Sequence, residues 1–521
     1  MHYLPRMIGT LAAALPLAAP VPAHGSLASA APPPQQGAAA VDEQQAQSGS
    51  VLRLSLKLAR SLALENNLGL RIQALGSELA RHNSLGSWGA FDWIFTGTGS
   101  YSDSDSLSTT FFGTGDIISS ETEGLSFDFL KPLGTGGSFD LQFSRGISAT
   151  DNPFVGADFQ ERLVSDGLTM TYNQPLLRGA WAEYATATQR EAEIVLGRQR
   201  ELERGTRQDL LLQVSNAYWD LVAARRQREV AQSSLGLGLD QVQRNQRRLE
   251  VGLGTQVEVL QAEAEVAVRR EQLLLADVTV DQAGDLLKQL VFPGTDRDLW
   301  ESIPEPTTPL PKIVATSGQP DWESALLVAM EQRPDLRQAR ADIDSAEVQL
   351  ARSASERLAG LDLSLSANAR GEAASAGDSI EQITDLDQPT YTAALTYSMP
   401  IGNRVARHAE RAASIALRQA RLTYDATESQ VAALVRQAVR DVHYQAEAVR
   451  AAELSRELAR QQLEAERARF DEGLSTNYQV LEFQQALAQT QSSERAARVA
   501  FAKAEVNMEY VQGLLGESPA Q

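Results

Sequence analysis

Two stretches of the sequence decide the fold: RLEVGLGTQVEVL at residues 248–260 and RFDEGLSTNYQVL at residues 469–481. In both, a glycine follows an arginine by four positions, a threonine follows the glycine by three, and a Val-Leu pair follows the threonine by four. The glycines, Gly252 and Gly473, end long stretches of helix-forming residues, where glycine relieves the left-handed backbone conformation of a helix C-terminus. Each stretch therefore predicts a tight turn between two helices.

Further positions match between the two halves of the chain. Those that keep the spacing of the two glycines are Ala217 with Ala438 and Asp220 with Asp441. Two other groups are Thr171, Tyr172 and Pro175 with Thr396, Tyr397 and Pro400, and Glu65, Leu70 and Arg71 with Glu331, Leu336 and Arg337. The matches occur in the same order in both halves, which indicates an internal duplication. Each half is predicted to contain a helix, strands, a very long helix, a turn and a returning helix.

The two longest helices are predicted over about Trp181 to Val251 and Arg404 to Glu472. Both segments are rich in Ala, Gln, Arg, Glu and Leu and contain no proline. At 1.5 Å per residue each helix would be roughly 100 Å long, so it needs partners along its whole length, as in a coiled coil. The returning helices are predicted over about Thr255 to Val291 and Thr476 to Leu515.

Apolar and polar residues alternate in several strand-like segments. The four strongest are residues 91–101, 168–173, 361–366 and 391–399, and two further runs, 125–129 and 139–143, flank a glycine-rich segment at 134–137. Such alternation fits either a soluble sheet with one wet face or a barrel wall between lipid and water.

The N-terminus has the features of a secretory signal peptide, predicted over residues 1–30. A positive charge precedes the apolar stretch 7–20, and small residues follow, with cleavage after Ala23 or Ala30. Residues 31–50 are polar and rich in proline and glutamine, which predicts a flexible lead-in. No later segment has the ~18 continuous apolar residues of a spanning helix. Any membrane crossing must therefore use β-strands, and the export signal favours the barrel wall.

Four strong strands in one chain cannot close a membrane barrel, which needs at least eight. An open sheet in lipid would leave backbone groups unpaired, at several kcal/mol each. Several chains must therefore share one barrel, and the long helices also need partners. The additional hairpin, residues 125–143, has no counterpart in the second half. It is expected to extend the barrel, project as an outer loop or line the pore.

Composition excludes several classes of function. The chain has no cysteine, which excludes disulfides and thiolate metal sites, and its five histidines lie far apart in the sequence. A formal net charge of −20 argues against nucleic acid as a partner, because binding phosphates requires a basic surface. No nucleophile–base pair stands out, so we expect no catalysis, no cofactor and no metal site.

The turn motifs, together with the segments Leu64–Asn67 and Asn173–Gly179, resemble the outer-membrane efflux protein family over about Val51 to Leu515. The resemblance implies a mainly helical fold with β-structure. Long antiparallel coiled-coil hairpins would form a periplasmic α-barrel in a homotrimer, with four strands per chain in a shared 12-stranded transmembrane β-barrel. The expected domains are a first repeat at 51–291, an equatorial linker at 292–321, a second repeat at 322–515 and a tail at 516–521.

The resemblance also implies a function: a passive channel through the outer membrane, in contact with its lipid. The channel would work with a periplasmic adaptor and an inner-membrane transporter in a tripartite export system. Within this class, the outer-membrane component of type I protein secretion is an alternative to small-molecule efflux. A periplasmic coiled-coil adaptor is a further alternative, although an adaptor would carry one helical hairpin flanked by small β-domains.

Two groups of candidate site residues follow the turn motifs. The predicted adaptor-docking residues at the periplasmic tip are Gly252, Leu253, Gly254, Thr255, Gly473, Leu474, Ser475 and Thr476. The predicted entrance gate, on one side of the returning helices, comprises Glu258, Gln261, Gln479, Glu482 and Gln485. In a three-fold symmetric trimer, the three copies of each gate residue would form a ring around the axis. The alternatives are that the glycines only cap helices and that Glu482 is a solvated surface residue. Gln479 stands where the family often has an aspartate.

Overall fold

The structure is a computed structural model that describes residues 51–107, 117–151, 160–252, 254–292, 294, 297–311 and 321–516. The chain divides into two units, Met1–Ser50 and Val51–Gln521, and all described residues belong to the second. The predicted signal peptide, lead-in and tail lie outside the described residues, apart from Gly516.

Helices and strands follow the duplicated order that the sequence predicts. The first repeat comprises β1 (Val51–Leu54), α1 (Leu56–Asn66), α2 (Leu68–Ser87), a 3-10 turn (Trp88–Phe91), β2 (Ile94–Leu107), β3 (Ile117–Pro132), β4 (Ser138–Asp151), β5 (Gln160–Pro175), α3 (Trp181–Ala185), α4 (Ala187–Glu250) and α5 (Gln256–Val291). The connecting segment contains α6 (Arg297–Glu301) and β6 (Ile303–Pro306). The second repeat comprises α7 (Trp322–Gln332), α8 (Pro334–Glu356), β7 (Gly360–Ala373), α9 (Ala376–Thr384), β8 (Pro389–Ser398), α10 (Arg404–Asp471) and α11 (Asn477–Val511).

Matching positions of the two repeats make the same contacts. The guanidinium of Arg71 donates to the Glu65 carbonyl oxygen at 2.9 and 3.2 Å, and that of Arg337 donates to the Glu331 carbonyl oxygen at 3.1 Å. Both contacts close the link between two short helices, α1–α2 in one repeat and α7–α8 in the other. The duplication is therefore present in the side-chain interactions as well as in the order of elements.

Each repeat has its own hydrophobic core, where its first helix packs on its long helix. The first core includes Ala59, Ala63, Leu210, Val214 and Ala217, and the second includes Ala325, Ala329, Val431, Val435 and Ala438 at the matching positions. Small residues on α1 and α7 allow the two helices to approach α4 and α10 closely. Helix α11 contributes to both cores, so the repeats are packed into one body.

Polar contacts join the repeats where the cores meet. The Tyr510 hydroxyl on α11 donates to Asp209 on α4 at 2.6 Å. Burial and this carboxylate raise the pKa of Tyr510 to about 12, so the hydroxyl stays protonated as the donor. The buried Tyr218 hydroxyl donates to the Leu54 carbonyl oxygen and accepts from the Thr308 N–H, which fastens β1 and the segment after β6 to α4. Strands β1 and β6 pair in parallel.

Six strands, not four, form the large sheet, in the order β2-β3-β4-β5-β7-β8 with every neighbouring pair antiparallel. The sheet of one chain thus has two strands more than the predicted four. The hairpin that the sequence predicts at 125–143 is longer, spanning β3 and β4, and it lies inside the sheet between β2 and β5. Of the three expected roles, it extends the sheet.

The strand register gives the sheet one apolar and one polar face, because residues paired across antiparallel strands lie on the same side. One apolar row crosses all six strands as Phe95, Phe129, Leu141, Met170, Ala367 and Tyr391. The adjacent polar row contains Thr96, Asp128, Gln142, Thr169, Asn368 and Thr390. The polar face lines a cavity of about 610 Å³, so the sheet is concave on that side.

Helix α9 covers the place where β7 extends beyond β8. The Gln382 side chain there donates to the Glu372 carbonyl oxygen at 3.2 Å and accepts from the Glu372 N–H at 2.9 Å, as a neighbouring strand would. Gly371 is required because a Cβ would collide with the backbone of Ser379.

Beside Gly371, on the apolar face of the sheet, Asp166 is fully buried in a two-bond ion pair with Arg145. Helix α9 thus shields an ion pair that would be costly in lipid.

The long helices form two hairpins. α4 packs on α5 and α10 on α11, while α11 also packs on α4, and α8 packs on both α4 and α10. α4 has 64 residues and α10 has 68, which gives each a length of roughly 100 Å. Among the described residues, every helix is too short or too polar to cross a membrane.

Candidate functional site: the turns between the long helices

Both turns are built on the same pair of helix caps. Gly252 and Gly473 have φ angles of +74° and +75°, the left-handed conformation that glycine adopts without strain. Their N–H groups donate to the carbonyl oxygens of Leu249 and Phe470, each at 3.0 Å. The C-cap interpretation of the two glycines is therefore confirmed, and it explains why the motif requires glycine.

The threonine of each motif begins the returning helix with a capping box. In the first turn, the Thr255 N–H donates to Glu258 Oε2 at 2.9 Å and the Glu258 N–H donates to Thr255 Oγ1 at 3.4 Å. In the second turn, Thr476 and Gln479 make the same two bonds at 3.2 and 3.4 Å. Each box satisfies two N–H groups that a helix start leaves unpaired. Glu258 and Gln479, two of the predicted gate residues, are thus held by local capping.

The remaining gate residues lie on the outside of the single chain. Gln261, Glu482 and Gln485 are all exposed, and Gln479, Glu482 and Gln485 form one exposed stripe on α11. Ser475 joins this region, since its hydroxyl lies within hydrogen-bonding distance of both Gln479 Oε1, at 3.0 Å, and the Glu466 carboxylate. The structure thus brings the second-turn candidates together, while Glu258 and Gln261 lie at the start of α5.

Large apolar side chains are exposed around both turns. Leu474 is 71% exposed and Tyr478 is 70% exposed, and Val251, Val257 and Leu260 are also exposed. Leu253, the counterpart of Leu474, lies outside the described residues. An apolar patch at the end of a long polar helical hairpin is a feature of surfaces that bind a partner.

A layer of buried amides lies directly behind the turns, and it was missed from the sequence. Gln241 on α4 donates through Nε2 to Asn245 Oδ1 at 3.0 Å and to Asn477 Oδ1 at 2.8 Å, and Asn245 donates to the Glu258 carbonyl oxygen at 3.0 Å. Gln241, Asn245 and Asn477 are almost completely buried. The layer links the start of α11 to the α4–α5 hairpin and so fixes the relative position of the two turns.

A buried arginine adds a second link further from the turns. Arg269 on α5 donates to the Ser234 carbonyl oxygen at 2.8 Å, to Glu265 Oε1 at 3.0 Å and to Gln484 Oε1 on α11 at 3.2 Å. It packs against Gly238, where a Cβ would lie only 3.1–3.2 Å from Arg269 and Val266. Because a buried charge without partners is costly, these contacts hold α11 in one register.

Among the residues that the structure describes, no three His, Asp or Glu side chains are placed to hold a metal ion. Two carboxylates near the turns have local partners: Glu258 caps the start of α5, and Glu265 accepts from Arg269. The arrangement can position helices and present a surface.

Comparison with known proteins gives one match in each of the two repeats. The family model for "Outer membrane efflux protein" matches residues 138–291 and 326–514, which cover β4 to α5 and almost all of α7 to α11. The chain belongs to this family. Its members are channel proteins rather than enzymes, and membership places the chain in the outer membrane with its helices in the periplasm. The resemblance predicted from the turn motifs is confirmed.

Individual relatives are distant in sequence. The proteases secretion protein PrtF of Dickeya chrysanthemi is 23% identical over 358 residues, which are 67% of this chain and 73% of that protein. The structure of the outer-membrane channel OprN covers 88% of this chain and 89% of its own at 16% identity, with a TM-score of 0.63. The Campylobacter jejuni outer-membrane channel CmeC covers 89% and 87% at 15% identity, with a TM-score of 0.62.

We predict that Gln241→Met destabilises the packing of α11 on α4. The substitution keeps the side-chain length but leaves two buried amide oxygens without their donor, at a cost of about 1–3 kcal/mol. Thermal melting of the purified protein, followed by circular dichroism, should show a lower transition temperature, and proteolysis near the turns should be faster. The control is Gln232→Met, the same substitution at an exposed position of α4. Equal melting of the two variants would contradict a structural role for the amide layer.

Proposed function

We propose that the chain forms a homotrimer that acts as a passive outer-membrane duct in a tripartite export system. The observation that carries this proposal is a sheet with two unpaired outer strands joined to helices of roughly 100 Å. Among the described residues, the outer strands have no strand beside them and the helices keep rows of exposed apolar side chains. Copies of the same chain supply partners for both. An adaptor docks at the turns, and an inner-membrane transporter supplies the energy.

The two edge strands, β2 and β8, support assembly through the sheet. Phe95 and Tyr101 on β2, and Tyr391 and Leu395 on β8, are more than half exposed in the single chain. Exposed edges with large apolar side chains pair with another chain in the absence of features that block pairing. In lipid the pairing is obligatory, because each unsatisfied backbone group costs several kcal/mol.

The helices support assembly independently of the sheet. Exposed apolar side chains recur on α2 (Ile72, Leu75, Leu79), on α5 (Leu274, Leu275, Val278) and on α10 (Ile415, Leu422, Leu454). Rows of this extent on a water-exposed helix indicate a surface that another helix covers. Three copies around one axis would bury these rows between neighbouring hairpins.

A second candidate within the class is the outer-membrane component of type I protein secretion. It is favoured by the similarity to the proteases secretion protein PrtF, which extends over two thirds of this chain. The two candidates differ in cargo and in the partner transporter, while the duct itself is the same.

The proposed assembly predicts a trimer in the outer-membrane fraction that conducts ions. Multi-angle light scattering of the detergent-solubilised protein should give three chains per particle, and planar bilayers should show discrete conductance steps. A monodisperse single chain that still conducts would overturn the proposal. Recovery of the protein from the soluble periplasm would overturn it as well.

Adaptor docking predicts that Leu474→Glu abolishes export while trimers still form. A carboxylate in the apolar tip would have to be desolvated against the adaptor, which is unfavourable without a partner charge. The measurement is restoration of export in a deletion strain, with Leu253→Glu tested in parallel. Leu386→Glu is the matched control, since Leu386 is also more than half exposed but lies between α9 and β8. Full export by the Leu474 and Leu253 variants would exclude docking here.

The entrance gate predicts that Glu482→Ala lowers cation selectivity. In a trimer, three Glu482 carboxylates near the axis attract cations and repel anions. The rings formed by Gln479 and by Gln485 add no charge. Reversal potentials in a salt gradient across a planar bilayer measure the effect. Glu464→Ala is the control, because Glu464 is exposed on α10 and already pairs with Arg460. Unchanged selectivity in Glu482→Ala, Glu258→Ala and the double variant would place the acidic entrance elsewhere.

A further inference from the structure

We infer that the transmembrane wall of the assembled protein has 18 strands, six from each of three chains, and encloses a wide passage. The inference rests on the proposed homotrimer. Its own evidence is the β3–β4 hairpin, which is an integral part of the sheet in the structure.

The hairpin is paired along its full length on both sides. β3 pairs with β2 from Ile94↔Leu130 to Leu107↔Ile117, and β4 pairs with β5 from Ser138↔Asn173 to Asp151↔Gln160. Aromatic contacts reinforce the first of these pairings, with the Phe95 ring 4.9 Å from that of Phe129. Moving the hairpin out of the sheet would break the hydrogen bonds between β2 and β3 and those between β4 and β5. β2 and β5 would then have to pair with each other.

The hairpin also continues the apolar face and the polar face of the rest of the sheet. Leu125, Phe127, Phe129, Leu141, Phe143 and Ile147 lie on the apolar face, and Ser120, Thr122, Ser126, Gln142, Ser144 and Ser148 lie on the polar face. β3 has 16 residues and β4 has 14, more than the ~9–11 that a tilted strand needs to cross a bilayer. A loop outside the wall would not need this alternation.

Strand direction allows the wall to close with six strands per chain. The six strands alternate in direction, so β2 and β8 run antiparallel to each other. β8 of one copy can therefore pair with β2 of the next as an ordinary antiparallel neighbour. Repeating this head-to-tail contact closes a ring, and three copies give 18 strands.

The width of six strands agrees with the width of the helices that meet them. α2, α4, α8 and α10 pack side by side, and each is joined to a strand of the sheet by a short connection. At 8–10 Å between axes, four helices occupy roughly 32–40 Å of circumference. Six strands spaced about 4.8 Å apart and tilted by about 40° occupy roughly 38 Å, whereas four would occupy only about 25 Å. With the hairpin included, the sheet of one chain is therefore about as wide as the layer of helices joined to it, so the passage would have the same width on both sides of the junction.

The enlarged wall suits a bulky, hydrated cargo, such as polypeptide segments thicker than an extended chain. Barrel diameter grows linearly with strand number, so 18 strands give a diameter about 1.5 times that of 12. The hairpin adds small neutral side chains to the concave face, with Asp128 and Asp140 as its charged residues among the described ones. Such a lining leaves space open and offers few charges to retain a cargo.

Cryo-electron microscopy of the detergent-solubilised or nanodisc-embedded protein tests the strand number directly. The expected result is three chains around one 18-stranded barrel. Three chains around a 12-stranded barrel, with β3 and β4 outside it, would overturn the inference and leave the proposed trimeric duct intact. Two chains around a 12-stranded barrel would overturn both the strand number and the proposed trimer.

Disulfide formation tests the position of the hairpin in cells. The chain has no native cysteine, so introduced pairs are unambiguous. Thr98→Cys with Ser126→Cys, which are direct neighbours on β2 and β3, should form an intrachain disulfide on mild oxidation. Thr98→Cys with Gly167→Cys places cysteines on β2 and β5, which become neighbours only if the hairpin leaves the wall. Cross-linking of the second pair and not the first would overturn the inference.

Access to the passage tests its width. A single Thr98→Cys in intact cells should react with polyethylene-glycol maleimides up to a larger polymer mass than in a variant that also lacks Ile117–Asp151. The polymers enter from outside, so a closed periplasmic entrance does not interfere. An equal size limit in two variants that both assemble would contradict the widening. If the shortened variant fails to assemble, the strand count and the disulfide pairs decide.

Discussion

The structure depends on one constraint: backbone N–H and C=O groups that enter lipid must be hydrogen-bonded within protein. The sheet of one chain meets this requirement everywhere except along β2 and β8, where pairing stops. Where β7 extends beyond the end of β8, the Gln382 side-chain amide makes the backbone hydrogen bonds that a neighbouring strand would make. The two long edges have no such substitute in the described chain, and in the proposed homotrimer copies of the chain are the partners with the correct strand length and direction. Pairing in the sheet would then bring the helical hairpins around a common axis.

The duplication determines how the helical part is held together. Each repeat packs its first helix on its long helix through small residues at matching positions, such as Ala63 in the first core and Ala329 in the second. The repeats diverge where they contact each other. Gln241 and Arg269 of the first repeat bond to Asn477 and Gln484 on α11. Apolar coiled-coil surfaces tolerate sliding by whole turns, whereas a buried amide or guanidinium has partners in one register only. The polar contacts thus specify the alignment of two similar hairpins that hydrophobic packing alone would leave ambiguous.

Local patterns in the sequence predicted the elements, and the errors concern how elements combine. Glycine and threonine at fixed spacing predicted both turns, because caps depend on neighbouring residues only. Alternation predicted all six strands of the sheet, including β3 and β4, yet it left three roles open for the hairpin because the second repeat has no equivalent. Pairing between strands depends on residues far apart in the chain, and a single sequence does not record it. The buried amide layer was missed for a related reason. Glutamine is frequent along α4 and α10, so nothing in the sequence marks Gln241 as a buried residue until α11 is in place.

An inserted hairpin is the smallest change that widens the wall without disturbing the helices. Each added strand reverses the direction of the chain, so one extra strand would bring β5 to the wrong side of the membrane and send α4 away from the periplasm. Two extra strands restore the direction, and β5 still enters α4 through Gly179, whose φ of +78° sets the turn. The even count also keeps β2 and β8 antiparallel, which the closing contact between copies requires. In the proposed 18-stranded wall, the hairpin therefore changes the circumference while preserving the ends of the repeat, the path of the helices and the proposed contact between one copy and the next.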